Sequence, residues 1–240
     1  MSRVQADSVG IHYLFDHQQR TVSPTIARFR RPSGEIWALT DVSFEMRSGE
    51  GVALLGGSGS GKSTLLRTIA GVLEPDTGRL EITGRVGSLL SVQAGVMAAL
   101  TGPENTLLLG VLAGMTPDQA RAEMGEVRRR SGLDDQYEHL VGSYSQGMRA
   151  RLGLGVIERT EPSILLLDEV HEALDHEFRD HVESYAQELL AAGGVVVATG
   201  HDHPMLERLC TRALLLEDGH LIADGEFTEI QRRYLGERKV

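Results

Sequence analysis

Gly56-Gly57-Ser58-Gly59-Ser60-Gly61-Lys62-Ser63-Thr64 is the stretch from which the rest of the chain is read. The apolar run Gly51-Val52-Ala53-Leu54-Leu55 precedes it and reads as a buried strand, and Leu65 to Ala70 reads as the helix that follows. Gly56, Gly61, Lys62 and Ser63 satisfy the spacing G-x-x-x-x-G-K-[ST] between that strand and that helix. Glycines let the backbone curl so that successive N–H groups face a phosphate, and the helix N-terminus adds partial positive charge. In such a loop Lys62 bridges the β- and γ-phosphates and the Ser63 hydroxyl ligates Mg²⁺. The stretch therefore predicts a nucleoside triphosphate site.

The 240 residues are enough for one large α/β domain or two small ones. A formal charge of −10 argues against a general nucleic-acid binder, because phosphate backbones select basic faces. Cys210 is the single cysteine, so an internal disulfide is excluded and a reducing compartment is expected, with the thiol read as a small apolar filler on a helix after Leu209. The N-terminus has no apolar stretch of signal-peptide type. The longest apolar run, Leu107 to Met115, is far short of the roughly 20 residues that span a bilayer.

Outward from the loop, Val4 to Tyr13 reads as a first strand with weak alternation. Residues 16–34 carry prolines and a basic cluster and read as a loop or exposed hairpin, an insertion that touches a partner or simply faces solvent. Ile36 to Leu39, Val42 to Met46, Arg79 to Thr83 and Val86 to Leu90 read as short strands of a mixed or antiparallel layer laid against the nucleotide core. From Thr101 to about Gln136 the pattern is helical: Thr116-Pro117-Asp118-Gln119 is a capping box and Gly132 a natural stop. The second half alternates. Ile164 to Leu167 and Val195 to Thr199 are buried strands, Glu177 to Leu190 is an amphipathic helix and Leu206 to Cys210 a short one. A hairpin turns at Asp218-Gly219, and a last helix lies near Thr228 to Leu235.

Beyond the loop, Ile164-Leu165-Leu166-Leu167-Asp168-Glu169 ends an apolar strand in two carboxylates. Asp168 suits a Mg²⁺ partner, and Glu169 is placed to polarise an attacking water. Tyr144-Ser145-Gln146-Gly147-Met148 lies just before that strand, and Ser145 can cap the helix that follows so that a hydroxyl, a backbone N–H and a helix N-terminus converge on an anion. This run is similar to the LSGGQ signature of ATP-binding-cassette (ABC) ATPases. Ser145 and Gly147 match it, while Gln146 and Met148 depart from its commonest form.

The resemblance covers nearly the whole chain. It implies a single nucleotide-binding domain over 1–240, with a RecA-like parallel core, an antiparallel β layer and a helical subdomain at about 100–160. It also implies ATP and Mg²⁺ as ligands. Ala173-Leu174-Asp175 looks like the loop that crosses the dimer interface, and His201, after the strand Val195 to Thr199, like the γ-phosphate sensor. The other histidines have no zinc-ligand spacing. Tyr13 matches the family's adenine-stacking aromatic and is favoured, with Trp37 the competing candidate. Gln93 is the glutamine nearest the family's metal-contacting glutamine loop.

The runs Ser88-Leu89-Leu90, Ala94-Gly95-Val96 and Leu100-Thr101-Gly102-Pro103-Glu104-Asn105 resemble the ATPase subunits of exporters of O-antigen, capsule, teichoic acid and galactan, although Pro103 replaces an arginine. That resemblance implies a head-to-tail homodimer. Each site would take Lys62, Ser63, Asp168, Glu169 and His201 from one subunit and Ser145 and Gly147 from the other. It further implies an integral membrane permease as partner, a place on the cytoplasmic face of the cell membrane and no nucleic-acid partner. Larger members of the subfamily carry a C-terminal carbohydrate-binding domain, which is not expected in a chain ending at Val240. The competing readings are an exporter of lipid, drug or peptide and a soluble cassette ATPase.

Overall fold

The computed structural model describes residues 2–15, 34–89, 96–168, 175–200 and 202–237. The expectations for the 16–34 insertion up to residue 33, and for Gln93, Glu169, Ala173, Leu174 and His201, lie outside these residues. In chain order the elements are β1 (Arg3–Phe15), β2 (Gly34–Arg47), β3 (Gly51–Leu55), α1 (Lys62–Ile69), β4 (Thr77–Thr83), β5 (Val86–Leu89), α2 (Gly102–Leu112) and α3 (Pro117–Ser131). Two 3-10 turns, Asp134–Glu138 and Val141–Ser143, lead to α4 (Gln146–Arg159). The chain continues through β6 (Ile164–Asp168), α5 (His176–Ala191), β7 (Val195–Thr199), α6 (His203–Leu209), β8 (Arg212–Glu217), β9 (His220–Glu226) and α7 (Phe227–Glu237).

A six-stranded sheet in the order β5-β6-β7-β3-β8-β9 forms the centre, parallel except for β9. The middle of each inner strand is apolar because both faces are covered. On one face Val52, Leu54, Ile164, Leu166, Val195, Val197, Leu214 and Leu216 pack with Leu65, Leu66 and Ile69 of α1 and with the second sheet. On the other, Ala53, Leu55, Leu165, Leu167, Val196, Ala198, Ala213 and Leu215 pack with α4, α5, α6 and α7. Period-2 alternation thus divides each apolar run between two cores.

The second sheet is antiparallel in the order β2-β1-β4. Two expectations need correction here. Ile36 to Leu39 and Val42 to Met46 form one strand, β2, bent at an extra residue and with Asp41 at φ 51°. Val86 to Leu89 does not join this layer: it pairs in parallel with Ile164 to Leu167 and makes the edge of the central sheet. A short strand carries no mark of its sheet, since neighbours from distant sequence supply its hydrogen bonds.

Helices α2, α3 and α4 enclose a third core of Val127, Leu133, Tyr137, Val141, Tyr144, Leu152 and Val156. Its polar groups are satisfied internally. The Tyr144 hydroxyl donates to the Gln136 carbonyl at 2.8 Å, and burial pushes it up to about 12. Both α2 and α3 start with complete capping boxes, Thr101 with Glu104 and Thr116 with Gln119, and α3 stops at Gly132 in the left-handed conformation. The box at Thr101 escaped the sequence reading. Helix α4 serves two cores, giving Ala150 and Leu154 to the central sheet and Leu152 and Val156 to the helical cluster. Near its C-terminal end the buried Glu158 takes Arg130 of α3 at 2.9 Å and His181 of α5 at 2.6 Å. Helix α6 starts earlier than expected, at His203, with Asp202 accepting from the Met205 N–H at 3.1 Å. Cys210 lies beyond its end in extended backbone, and there burial pushes the thiol up to about 12.

Candidate nucleotide site

Strands β3, β6 and β7 run parallel and side by side, so their C-terminal ends share one edge of the sheet. Gly56 leaves β3 there, Asp168 closes β6 and Thr199 closes β7. In open α/β sheets this carboxyl edge is where ligands bind.

The loop from Gly56 to Gly61 takes the backbone angles that its glycines permit. Gly56, Gly59 and Gly61 have φ values of 149°, 80° and 104°. A Cβ on Gly61 would stand 2.7 Å from the Ala38 carbonyl oxygen and 2.8 Å from Leu39 Cδ2, so glycine is required by space as well as by angle. Ala38 belongs to β2 of the antiparallel sheet, which therefore presses on the loop. The β8–β9 turn braces the loop beside it, with the Gly219 N–H donating to the Ser60 carbonyl at 3.2 Å and the Gly219 carbonyl accepting from the Thr40 N–H at 2.8 Å. Ser60 is buried, Gly57 half-buried, and Ser58 and Gly59 exposed.

Helix α1 begins at Lys62 with Gly61 as its cap residue. No side chain caps it and no acid stands in its first turn. Lys62, Ser63 and Thr64 are half-buried. The Lys62 ammonium donates to the Gly56 and Gly57 carbonyls, both at 2.9 Å. This folds a positive charge back over the loop, beside the N–H groups of the helix start. Asp168, partly exposed, has one carboxylate oxygen fixed by the buried Thr199 hydroxyl at 2.7 Å. One oxygen is held and the other remains for a cation or water. With the oxygens of a phosphate, Ser63 and Asp168 would offer the hard-oxygen donors that suit Mg²⁺.

The two aromatic candidates lie on opposite faces of the antiparallel sheet. Tyr13, paired with Ile36, packs against the core that contains Leu39 and α1. Trp37 pairs with His12, their rings 5.2 Å apart, and lines an open hollow of about 400 Å³ on the outer face with Ser8, Thr40, Asp41, Thr77 and Gly78. Register irregularities decide this. An extra residue in β1 after Ala6, where Ser8 has φ 50°, carries Val9, Ile11 and Tyr13 inward. Plain alternation from Val4 and Ala6 would have turned Tyr13 outward.

Ser145 and Gly147 mark the start of α4. The Ser145 hydroxyl accepts from the Met148 N–H at 3.2 Å as the N-cap, and the side chain is exposed. Helix α1 covers one face of the central sheet and α4 the other, so the starts of these two helices belong to opposite faces of it. Asp175 caps α5, accepting from Phe178 N–H at 3.0 Å. It also takes an ion pair from Arg151 of α4, whose guanidinium stacks 4.8 Å over the Phe178 ring. Arg151 and the cap bond hold the Asp175 carboxyl below its usual range. The contacts made by Arg151, Thr199, Gly219 and Tyr234, whose hydroxyl reaches the Gly56 carbonyl at 3.1 Å, are not legible in the sequence, because nothing local marks such long-range partners.

Residues 39–172 match the family described as ABC transporter. The chain is 34% identical over 198 residues to the teichoic acids export ATP-binding protein TagH of Listeria innocua, covering 82% of this chain and 59% of that protein. It is 33% identical over 207 residues to the O-antigen export system ATP-binding protein RfbB of Myxococcus xanthus, covering 86% and 47%. To the protein of that name in Klebsiella pneumoniae it is 34% identical over 197 residues, covering 82% and 80%. The chain thus spans about half the length of several curated relatives that it matches. Among solved structures, the dimeric bacterial ABC transporter cassette MJ0796 superposes with a TM-score of 0.74 at 22% identity, covering 93% of this chain and 98% of that one, which shows the shared fold.

Proposed function

The chain belongs to the ABC transporter family, and on that premise we propose that it is the ATP-hydrolysing subunit of an exporter for a cell-surface polysaccharide or polyol phosphate. The observation that carries this reading is the placement of two anion-binding helix starts on opposite faces of the chain. One opens at Lys62 and the other at Ser145. A second copy, packed head to tail, brings the Ser145 and Gly147 of one chain to the phosphates held by the other. The dimeric state named for the similar cassette supports this arrangement.

Each site then takes Lys62 to the β- and γ-phosphate oxygens and the N–H groups of residues 57–64 around them. Ser63 and Asp168 hold Mg²⁺, and Thr199 keeps the Asp168 carboxylate turned to its task. Bound magnesium supplies charge neutralisation on the phosphates. Glu169 polarises the water, His201 contacts the γ-phosphate, Gln93 joins the metal shell and Asp175 lies at the interface. Tyr13 stacks the adenine, a role supported by its place on the face that also carries Leu39 beside Gly61. The chemistry is positioning and charge stabilisation without a covalent intermediate.

No helix among the described residues is long and apolar enough to cross a membrane. In this reading a permease subunit provides the path and places this chain on the cytoplasmic face of the membrane. The export of a glycan or polyol phosphate rests on the names of the relatives, TagH and RfbB. Glu169→Gln should slow hydrolysis by orders of magnitude while ATP binding and dimerisation survive; unchanged turnover removes Glu169 as the base. Stimulation by a lipid-linked glycan, compared with plain lipids and drugs, tests the transported class.

A further inference from the structure

The Gly56 carbonyl receives two donors, Lys62 Nζ at 2.9 Å and the Tyr234 hydroxyl at 3.1 Å. Tyr234 comes from α7, at the far end of the chain, and is 8% exposed. Its ring is fixed by the core that it shares with Phe227, Ile230 and Leu55, and it stands 6.4 Å from the ring of His203, the first residue of α6. The hydroxyl is therefore aimed at the loop by packing on its own helix and on the helix that follows β7.

An ammonium group carries three protons, and in Lys62 two of them lie on the Gly56 and Gly57 carbonyls. Contact with a β- and a γ-phosphate oxygen together requires two, so at least one of those carbonyls must be released when a triphosphate arrives. Gly57 is half-buried, and water can replace the lysine there. Gly56 is buried and packed against Leu216 and Ser60, where a carbonyl without a donor is costly. Tyr234 is the donor that remains.

We infer that Tyr234 is a positioning residue of the nucleotide site: its hydroxyl keeps the buried Gly56 carbonyl satisfied so that Lys62 can turn to the phosphates. The inference rests on the nucleotide-site reading above. It assigns the C-terminal helix a direct part in nucleotide binding, through a hydrogen bond whose importance is greater in the loaded state than in the free one.

The test is Tyr234→Phe in the full chain, which keeps the ring and its packing. Magnesium-ATP affinity is measured by titration with ATP, and melting is recorded with and without the nucleotide. The expected result is a rise of about tenfold in Kd for ATP, with the free protein melting close to wild type and the ATP-induced rise in melting temperature reduced. In turnover, KM for ATP rises while kcat stays near wild type. Equal ATP affinities for wild type and Tyr234→Phe overturn the inference and leave the nucleotide site standing. A melting loss equal in free and loaded protein also overturns it, since that is the mark of a purely structural bond. Failure of the wild-type chain to bind ATP overturns the nucleotide-site reading itself.

Discussion

Helices α1 and α3 begin in opposite ways. At α3, Thr116 accepts from the Gln119 N–H, the Gln119 side chain returns to the Thr116 N–H, and Asp118 adds a negative charge to the first turn. At α1 the cap is a left-handed glycine with no side-chain bond, and the first turn holds no acid. A helix that serves only the fold satisfies its own N–H groups and neutralises its own dipole. A helix that leaves both undone, beside a folded-back lysine and braced by Ala38 and Gly219, is arranged for an anion from outside.

The contrast can be broken at several points. The largest effect should come from Gly61→Ala. At φ 104°, with the Ala38 carbonyl and Leu39 in the way, the new methyl group should cost more than about 2 kcal/mol and abolish measurable ATP binding. Chemical denaturation and nucleotide titration check the two parts. A smaller and more instructive change is Thr64→Glu, which gives α1 the first-turn acid that α2 already has in Glu104. Free-protein stability should rise by about 0.3–1 kcal/mol, while ATP affinity should fall about tenfold, since the new carboxylate faces phosphate. A gain in both quantities would mean that the phosphates do not sit at this helix start.

At the other pole, Thr116→Ala should cost about 1 kcal/mol of stability and leave ATP affinity unchanged. The smallest effect separates the two capping boxes by acid. Glu104 is held below the usual carboxylate value of 4.5 by the Thr101 N–H and hydroxyl, so its cap bond is fully present above that value and is lost as pH falls through the lower folded one. The box on α3 uses Gln119 and has no such group. As pH falls through that lower value, amide protection should drop more at the start of α2, which loses its cap bond, than at the start of α3, which loses only the Asp118 charge.

Local structure around the candidate site is legible where it is written in consecutive residues. Gly56 to Thr64, the strand ending in Asp168 and the cap at Ser145 each carry their meaning within a few positions. The facing of side chains is not legible where it depends on strand register. The extra residue near Ser8 turns Tyr13 inward and another at Ala38 turns Trp37 outward, so the face that each aromatic occupies follows only from the pairing of β1 with β2. No count of alternating residues locates a bulge in advance.

By itself the sequence determined the class of fold, the phosphate loop and the order in which strands and helices follow it, because propensity, periodicity and turn chemistry act over short distances. The tertiary structure alone decided that β5 joins the parallel sheet, that α1 and α4 cover opposite faces, that Thr199 orients Asp168 and that Tyr234 reaches Gly56. Each of these joins residues far apart in the chain through one hydrogen bond, one strand pairing or one shared core. Such partners are selected by the packing of the whole molecule, and no local pattern in the residues announces them.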